Sequence, residues 1–110
     1  MAKKDIPLYK QKPKPRFGEW LRELRQEKDL ALREVAAAVG MDQAHLSKAE
    51  LGQRLPTEEQ VKSLATFFKI KPEEMEARRL AEKLIRELEE SPAGAAAFDI
   101  LREETPTFKS

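Results

Sequence analysis

Residues 32–52, LREVAAAVGMDQAHLSKAELG, decide how this chain folds. Val35, Ala36 and Val39 fall on one side of a short helical run, and Gly40 stands where a left-handed C-cap ends it. Asp42 then offers an N-cap oxygen to a second run, whose inward stripe is Leu46 and Ala49 and which Gly52 is placed to terminate. The chain must turn sharply between the two.

Working outward, a first helix is expected from Pro15 or Arg16 to about Lys28, with Phe17, Leu21 and Leu24 on one stripe and Trp20 beside it. Thr57 and Gln60 have capping-box spacing behind Pro56, and Val61, Leu64, Ala65 and Phe68 form the apolar face of a fourth helix. Pro72 suits a first helical position, and Glu73, Glu74 and Glu76 follow where the helix dipole favours negative charge. The long fifth helix that results carries Ala77, Leu80, Ala81, Leu84, Ile85 and Leu88 at spacings of three and four. Ser91 and Pro92 mark a break and a sixth helix over residues 92–104, with Ala97, Phe98 and Leu101 on it and Thr105 and Pro106 ending it.

Composition agrees with an all-α fold. Of the 110 residues 37% are charged and only 6% aromatic, which favours amphipathic helices over packed sheets. The length suits one compact unit with extensions. The net charge of +1 averages unlike regions. Residues 1–16 hold six Lys or Arg against Asp5 alone, a basic arm, whereas from Lys71 onward seven basic residues face ten acidic ones. An acidic segment is repelled by phosphate, so any contact with nucleic acid falls to residues 1–70.

Other classes are disfavoured. There is no cysteine, hence no disulfide or thiolate metal site, which fits a cytoplasmic protein. No apolar run approaches the roughly 20 residues that span a bilayer, and the lysine-rich start lacks the core of a signal peptide. With a single histidine, His45, and four scattered glycines, no catalytic constellation, metal site or cofactor cradle is expected.

Two short helices meeting through Gly40, Met41 and Asp42 suit the helix-turn-helix, in which one helix braces on the DNA backbone while the next enters the major groove. The wording is more specific than the spacing. Residues 17–70, with Arg25 late in the first helix, LREVA…VG, LSKAELG and Pro56, resemble the Xre-type family that includes the phage lambda-like repressors. The resemblance implies a five-helix repressor-like domain extended by C-terminal helices. It implies that Gln43, Ala44, Ser47 and Lys48 face the base edges. Gln suits adenine, Lys suits guanine, and an Ala methyl packs on that of thymine. It also implies an interhelical ion pair between Arg25 and Glu50, and backbone contacts from Gln53 and Arg54.

Three departures from the family pattern stand out. Leu32 replaces a common Gln that bonds phosphate, leaving Arg33 either as the substitute donor or as an ordinary surface residue. Ala31 lacks a capping side chain, so the start of the second helix is expected to fray. Leu51 replaces the usual polar residue, either buried against a neighbour or at a subunit contact. His45 reads as a phosphate contact or as plainly exposed.

The domain plan is therefore an arm over residues 1–15, a DNA-binding domain over 16–70, a helical dimerisation segment over 71–104 and a tail over 105–110. Family members bind near-palindromic sites as two-fold dimers. Leu80, Leu84, Ile85, Leu88, Phe98 and Leu101 are assigned to homodimerisation, against the alternative of packing on the N-terminal domain. The resulting expectation is a transcriptional regulator, repressor or autoregulator, whose partners are double-stranded DNA and a second copy of itself, with no membrane. The alternative is an antitoxin or interaction module whose C-terminal helices cover a toxin or other protein.

Overall fold

The computed structural model describes residues 15–104, and its elements are six helices: α1 (Phe17–Glu27), α2 (Leu32–Val39), α3 (Gln43–Glu50), α4 (Glu58–Phe68), α5 (Pro72–Glu90) and α6 (Gly94–Glu104). The expected basic arm, apart from Pro15, and the C-terminal tail lie outside the described residues.

Local chemistry sets the boundaries. Gly40 takes the left-handed conformation, φ 69°, that an L side chain resists, and so ends α2. The Asp42 carboxylate accepts from the N–H of His45 at 3.3 Å and starts α3. Thr57 and Gln60 cap α4 reciprocally: Gln60 N–H donates to Thr57 Oγ1 at 3.1 Å, and Thr57 N–H to Gln60 Oε1 at 3.0 Å.

Three boundary expectations change. First, α3 stops at Glu50, two residues short of Gly52, because the chain closes on itself in a Schellman turn. With Gly52 left-handed at φ 78°, its N–H reaches Ala49 O at 3.2 Å and the N–H of Gln53 reaches Lys48 O at 2.9 Å. Second, α6 begins at Gly94; Ser91 Oγ accepts from Ala93 N–H, which holds Pro92 and Ala93 in a turn before the helix. Third, α2 lacks a side-chain cap from Ala31, as expected, but the N–H of Ala31 itself is satisfied by the Glu34 carboxylate at 2.6 Å. A side chain three residues inside the helix satisfies the donor that an N-cap side chain would leave to water.

One core unites the first five helices. Phe17 and Leu21 of α1, Val35 and Ala36 of α2, Leu46 and Ala49 of α3, and Val61, Leu64, Ala65 and Phe68 of α4 are buried together with Met41. The core does not end at residue 70, for Met75 of α5 is fully buried in it. Truncating such a residue to alanine costs about 2–5 kcal/mol, lost transfer energy plus a cavity.

Helix α5 has two unlike faces. Met75, Arg78, Arg79, Glu82 and Arg86 turn to the first four helices, where the Arg78 guanidinium lies 4.2 Å from the centre of the Trp20 ring. The apolar stripe points elsewhere: Leu80, Leu84 and Ile85 are exposed, and α6 packs beside them with Phe98 and Leu101 half exposed. Packing of this stripe on the N-terminal helices, the alternative to dimerisation, is therefore not the arrangement within one chain. Leu51 is likewise exposed.

Candidate nucleic-acid interface

Helix α3 divides cleanly. Gln43, Ala44 and Lys48 are exposed and Ser47 half-buried on its outer side, while Leu46, Ala49 and Glu50 are buried behind them. Residues 43, 44, 47 and 48 recur at the three-to-four spacing that puts them on one helical face. None of the four side chains makes a hydrogen bond or ion pair among the described residues, so their polar groups face water.

The inner side is fixed at its C-terminal end. Arg25 grips Glu50 with two parallel bonds, Nε to Oε2 at 2.8 Å and Nη2 to Oε1 at 2.9 Å, and its Nη1 donates to Leu30 O at 2.9 Å. Hydrogen bonding by Glu50, against the cost of burial, holds the guanidinium charge more firmly than usual. Gly18 lets α1 come close: a Cβ there would lie 2.5 Å from Ala49 O and 2.7 Å from Glu50 O. The recognition-helix candidate is thus oriented by backbone contact as well as by charge.

Of the residues expected near the phosphates, Arg33, Gln53 and Arg54 are exposed, and the last two sit on the turn after α3. His45 is different. Gln60 commits its Oε1 to Thr57 N–H, so its amide donates to His45 Nδ1 at 3.3 Å, and His45 Nε2 is enclosed without a partner. Burial first, then the charge of Arg54, lowers the imidazole pKa from 6.5, so the ring is neutral at pH 7. With Nδ1 taken by Gln60 and Nε2 enclosed, the half-buried side chain braces α3 on α4, an arrangement that does not favour the expected phosphate contact.

A second layer was not legible beforehand. Glu82, only 5% exposed, accepts from Arg16 Nε at 2.8 Å, Arg16 Nη2 at 2.7 Å, Arg86 Nε at 3.2 Å and the N–H of Phe17 at 3.4 Å. Arg16 above all, against the cost of burial, holds the carboxyl at about 2. Arg86 also donates to Gly52 O and Arg79 to Pro56 O, each at 2.8 Å, which ties α5 to the loop behind α3. The sequence signal was the Glu82–Arg86 spacing of four, a pattern common on solvated faces.

This geometry belongs to a known class. A model of the helix-turn-helix domain family matches residues 16–78, and the chain belongs to that family, as a DNA-binding helix-turn-helix protein of the Xre type. Among solved structures it is similar to the restriction-modification controller protein C.AhdI from Aeromonas hydrophila, with 37% identity and a TM-score of 0.50 over 54% of this chain and 89% of that one. No curated protein matches the chain. No helix among the described residues is long and apolar enough to cross a membrane.

Proposed function

We propose that the chain is a sequence-specific transcriptional regulator, a repressor or autoregulator in the cytoplasm, that binds a near-palindromic operator as a homodimer. The observation that carries this reading is the outer face of α3, polar, unpaired and held rigidly from behind. Gln43, Ala44, Ser47 and Lys48 read base edges; Arg33, Gln53 and Arg54 hold phosphates. Likeness to a restriction-modification controller protein supports a regulatory rather than an enzymatic role.

One recognition helix reads only a few base pairs, so two half-sites and a two-fold partner are needed. The exposed Leu80, Leu84, Ile85, Phe98 and Leu101 of α5 and α6, with the half-buried Leu88 beside them, supply the pairing surface. The same exposed face also suits a second protein, as in an antitoxin, and light scattering on the purified chain separates the two: a dimer supports the first reading, a stable monomer the second.

Selection from a random duplex pool tests the central claim. Wild type is expected to enrich a palindrome, and Lys48→Ala to relax one position in each half, at a cost of about 1–3 kcal/mol in discrimination. Arg54→Ala should weaken all sequences alike and reduce the salt slope by about 1. Failure of wild type to enrich any motif at moderate salt sinks the proposal, and identical behaviour of the two variants sinks the assigned roles.

A further inference from the structure

The loop that follows the recognition helix is held at both ends by one helix. Arg86 Nη2 donates to Gly52 O at 2.8 Å and Arg79 Nε to Pro56 O at 2.8 Å, and between these carbonyls lie Gln53 and Arg54. Neither arginine is free to swing. Arg79 Nη1 meets Glu76 Oε2 at 3.0 Å, Arg86 Nε meets Glu82 Oε2 at 3.2 Å, and Glu82 is itself bound to Arg16. Successive residues on a helix are turned by roughly 100°, so α5 offers Arg86 to the loop while Leu84 and Ile85, on the same turn, remain exposed. The pairing face and the recognition loop are thus separated by the thickness of one helix.

We infer that Arg79 and Arg86 are positioning residues for DNA binding: they lock the loop after α3 to α5, so that pairing through α5 fixes the separation of the two recognition helices and hence the spacing of the half-sites. This rests on the homodimeric reading above. A base pair inserted between half-sites moves the second by about 3.4 Å and turns it by about 35°, which a rigid dimer cannot follow. With both bonds gone α5 still docks through Met75, but its C-terminal half, which carries Leu84 and Ile85, is tied back through Glu82 and Glu89 to Arg16, so each domain gains play against the pairing face and can follow its own half-site.

The test uses the full chain and duplexes built from the selected operator with one or two base pairs added or removed at the centre. Wild type is expected to lose about tenfold in affinity or more per base pair of change, a loss comparable to that of a mismatch. The variant Arg79→Gln/Arg86→Gln should keep the half-site motif and the dimer by light scattering, yet show a spacing preference flattened to about twofold. Equal loss at every spacing, or an unchanged preference, overturns the inference. Either single variant, Arg79→Gln or Arg86→Gln, frees one end of the loop and carries the same test where the double variant does not fold. A wild type that binds single half-sites overturns the homodimer reading and this inference with it; a spaced wild type with an unmoved variant overturns the inference alone.

Discussion

Gly18 has no side chain to contribute, yet it sets how closely α1 approaches α3. Helix propensity alone favours alanine over glycine by roughly 0.5–1 kcal/mol. Against that, a Cβ at Gly18 meets the carbonyl oxygens of Ala49 and Glu50, backbone atoms that move only if α3 moves. Sterics should win, and Gly18→Ala is expected to destabilise by about 1–3 kcal/mol, read as a lower urea midpoint at unchanged slope. Stabilisation would show that α1 and α3 are not in this close contact. Glu82 gives a second residue-scale prediction. Its carboxyl falls from 4.5 in the reference state to about 2 in the fold, so it favours folding above pH 4.5 and that contribution drains away as the pH drops toward 2. Glu82→Gln should lower stability at neutral pH and flatten its decline over that acidic window; a parallel curve, merely shifted, would remove Glu82 from the account. These two residues show what a sequence conceals. Arg25 and Glu50 were legible through family resemblance, and Asp42 and Thr57 through capping chemistry. Gly18 and Glu82 act on partners 31 to 66 residues away, and nothing local to either reveals the distance.

At the scale of elements, the helices were legible wherever a cap or a break marks them, as at Gly40, Asp42, Thr57 and Pro72. The face by which α5 docks was not. The apolar stripe of Leu80, Leu84 and Leu88 was assigned to pairing between copies, and no periodicity marked the face that docks, which is Met75 with a row of arginines and glutamate whose charges are paired to carbonyls and to one another. Buried charge is tolerable there because each group finds partners. The consequence is an exposed apolar stripe whose substitution should leave the fold intact. Leu84 is 49% exposed and Phe98 50%, and surface changes of this kind usually fall within about 0.5 kcal/mol. Leu84→Glu combined with Phe98→Glu is therefore expected to preserve the helical circular dichroism and the melting temperature of the isolated protomer, while light scattering shows a monomer. Affinity for a palindromic duplex should fall by about tenfold or more as the second half-site is lost. A dimer that persists in this variant places the two-fold contact elsewhere on the molecule.

Across the whole molecule, charge is distributed against the expected task. Residues 17–70 hold eight Lys or Arg and nine Asp or Glu, and the segment from Lys71 onward is more acidic still. On the proposed reading, long-range attraction to DNA comes from the exposed cations assigned to the interface, Arg33, Lys48 and Arg54, and from residues 1–16, which carry six basic groups against one acidic. Arg16 is already committed to Glu82 and Glu89, which leaves the five lysines before it. Each phosphate neutralised adds about 0.9 to the slope of log affinity against log salt, and a dimer brings two arms. Removing residues 1–14, with the cut placed to spare Arg16 and its network, is expected to flatten that slope by about 2–5 and to weaken binding most at low salt. The selected palindrome should stay the same, because phosphate contacts carry no direct sequence information. Titrations of a fluorescent operator at several salt concentrations measure both effects at once. An unchanged slope would take the lysines off the DNA; a flattened slope with an altered motif would place them in the minor groove, reading its width as well as its charge.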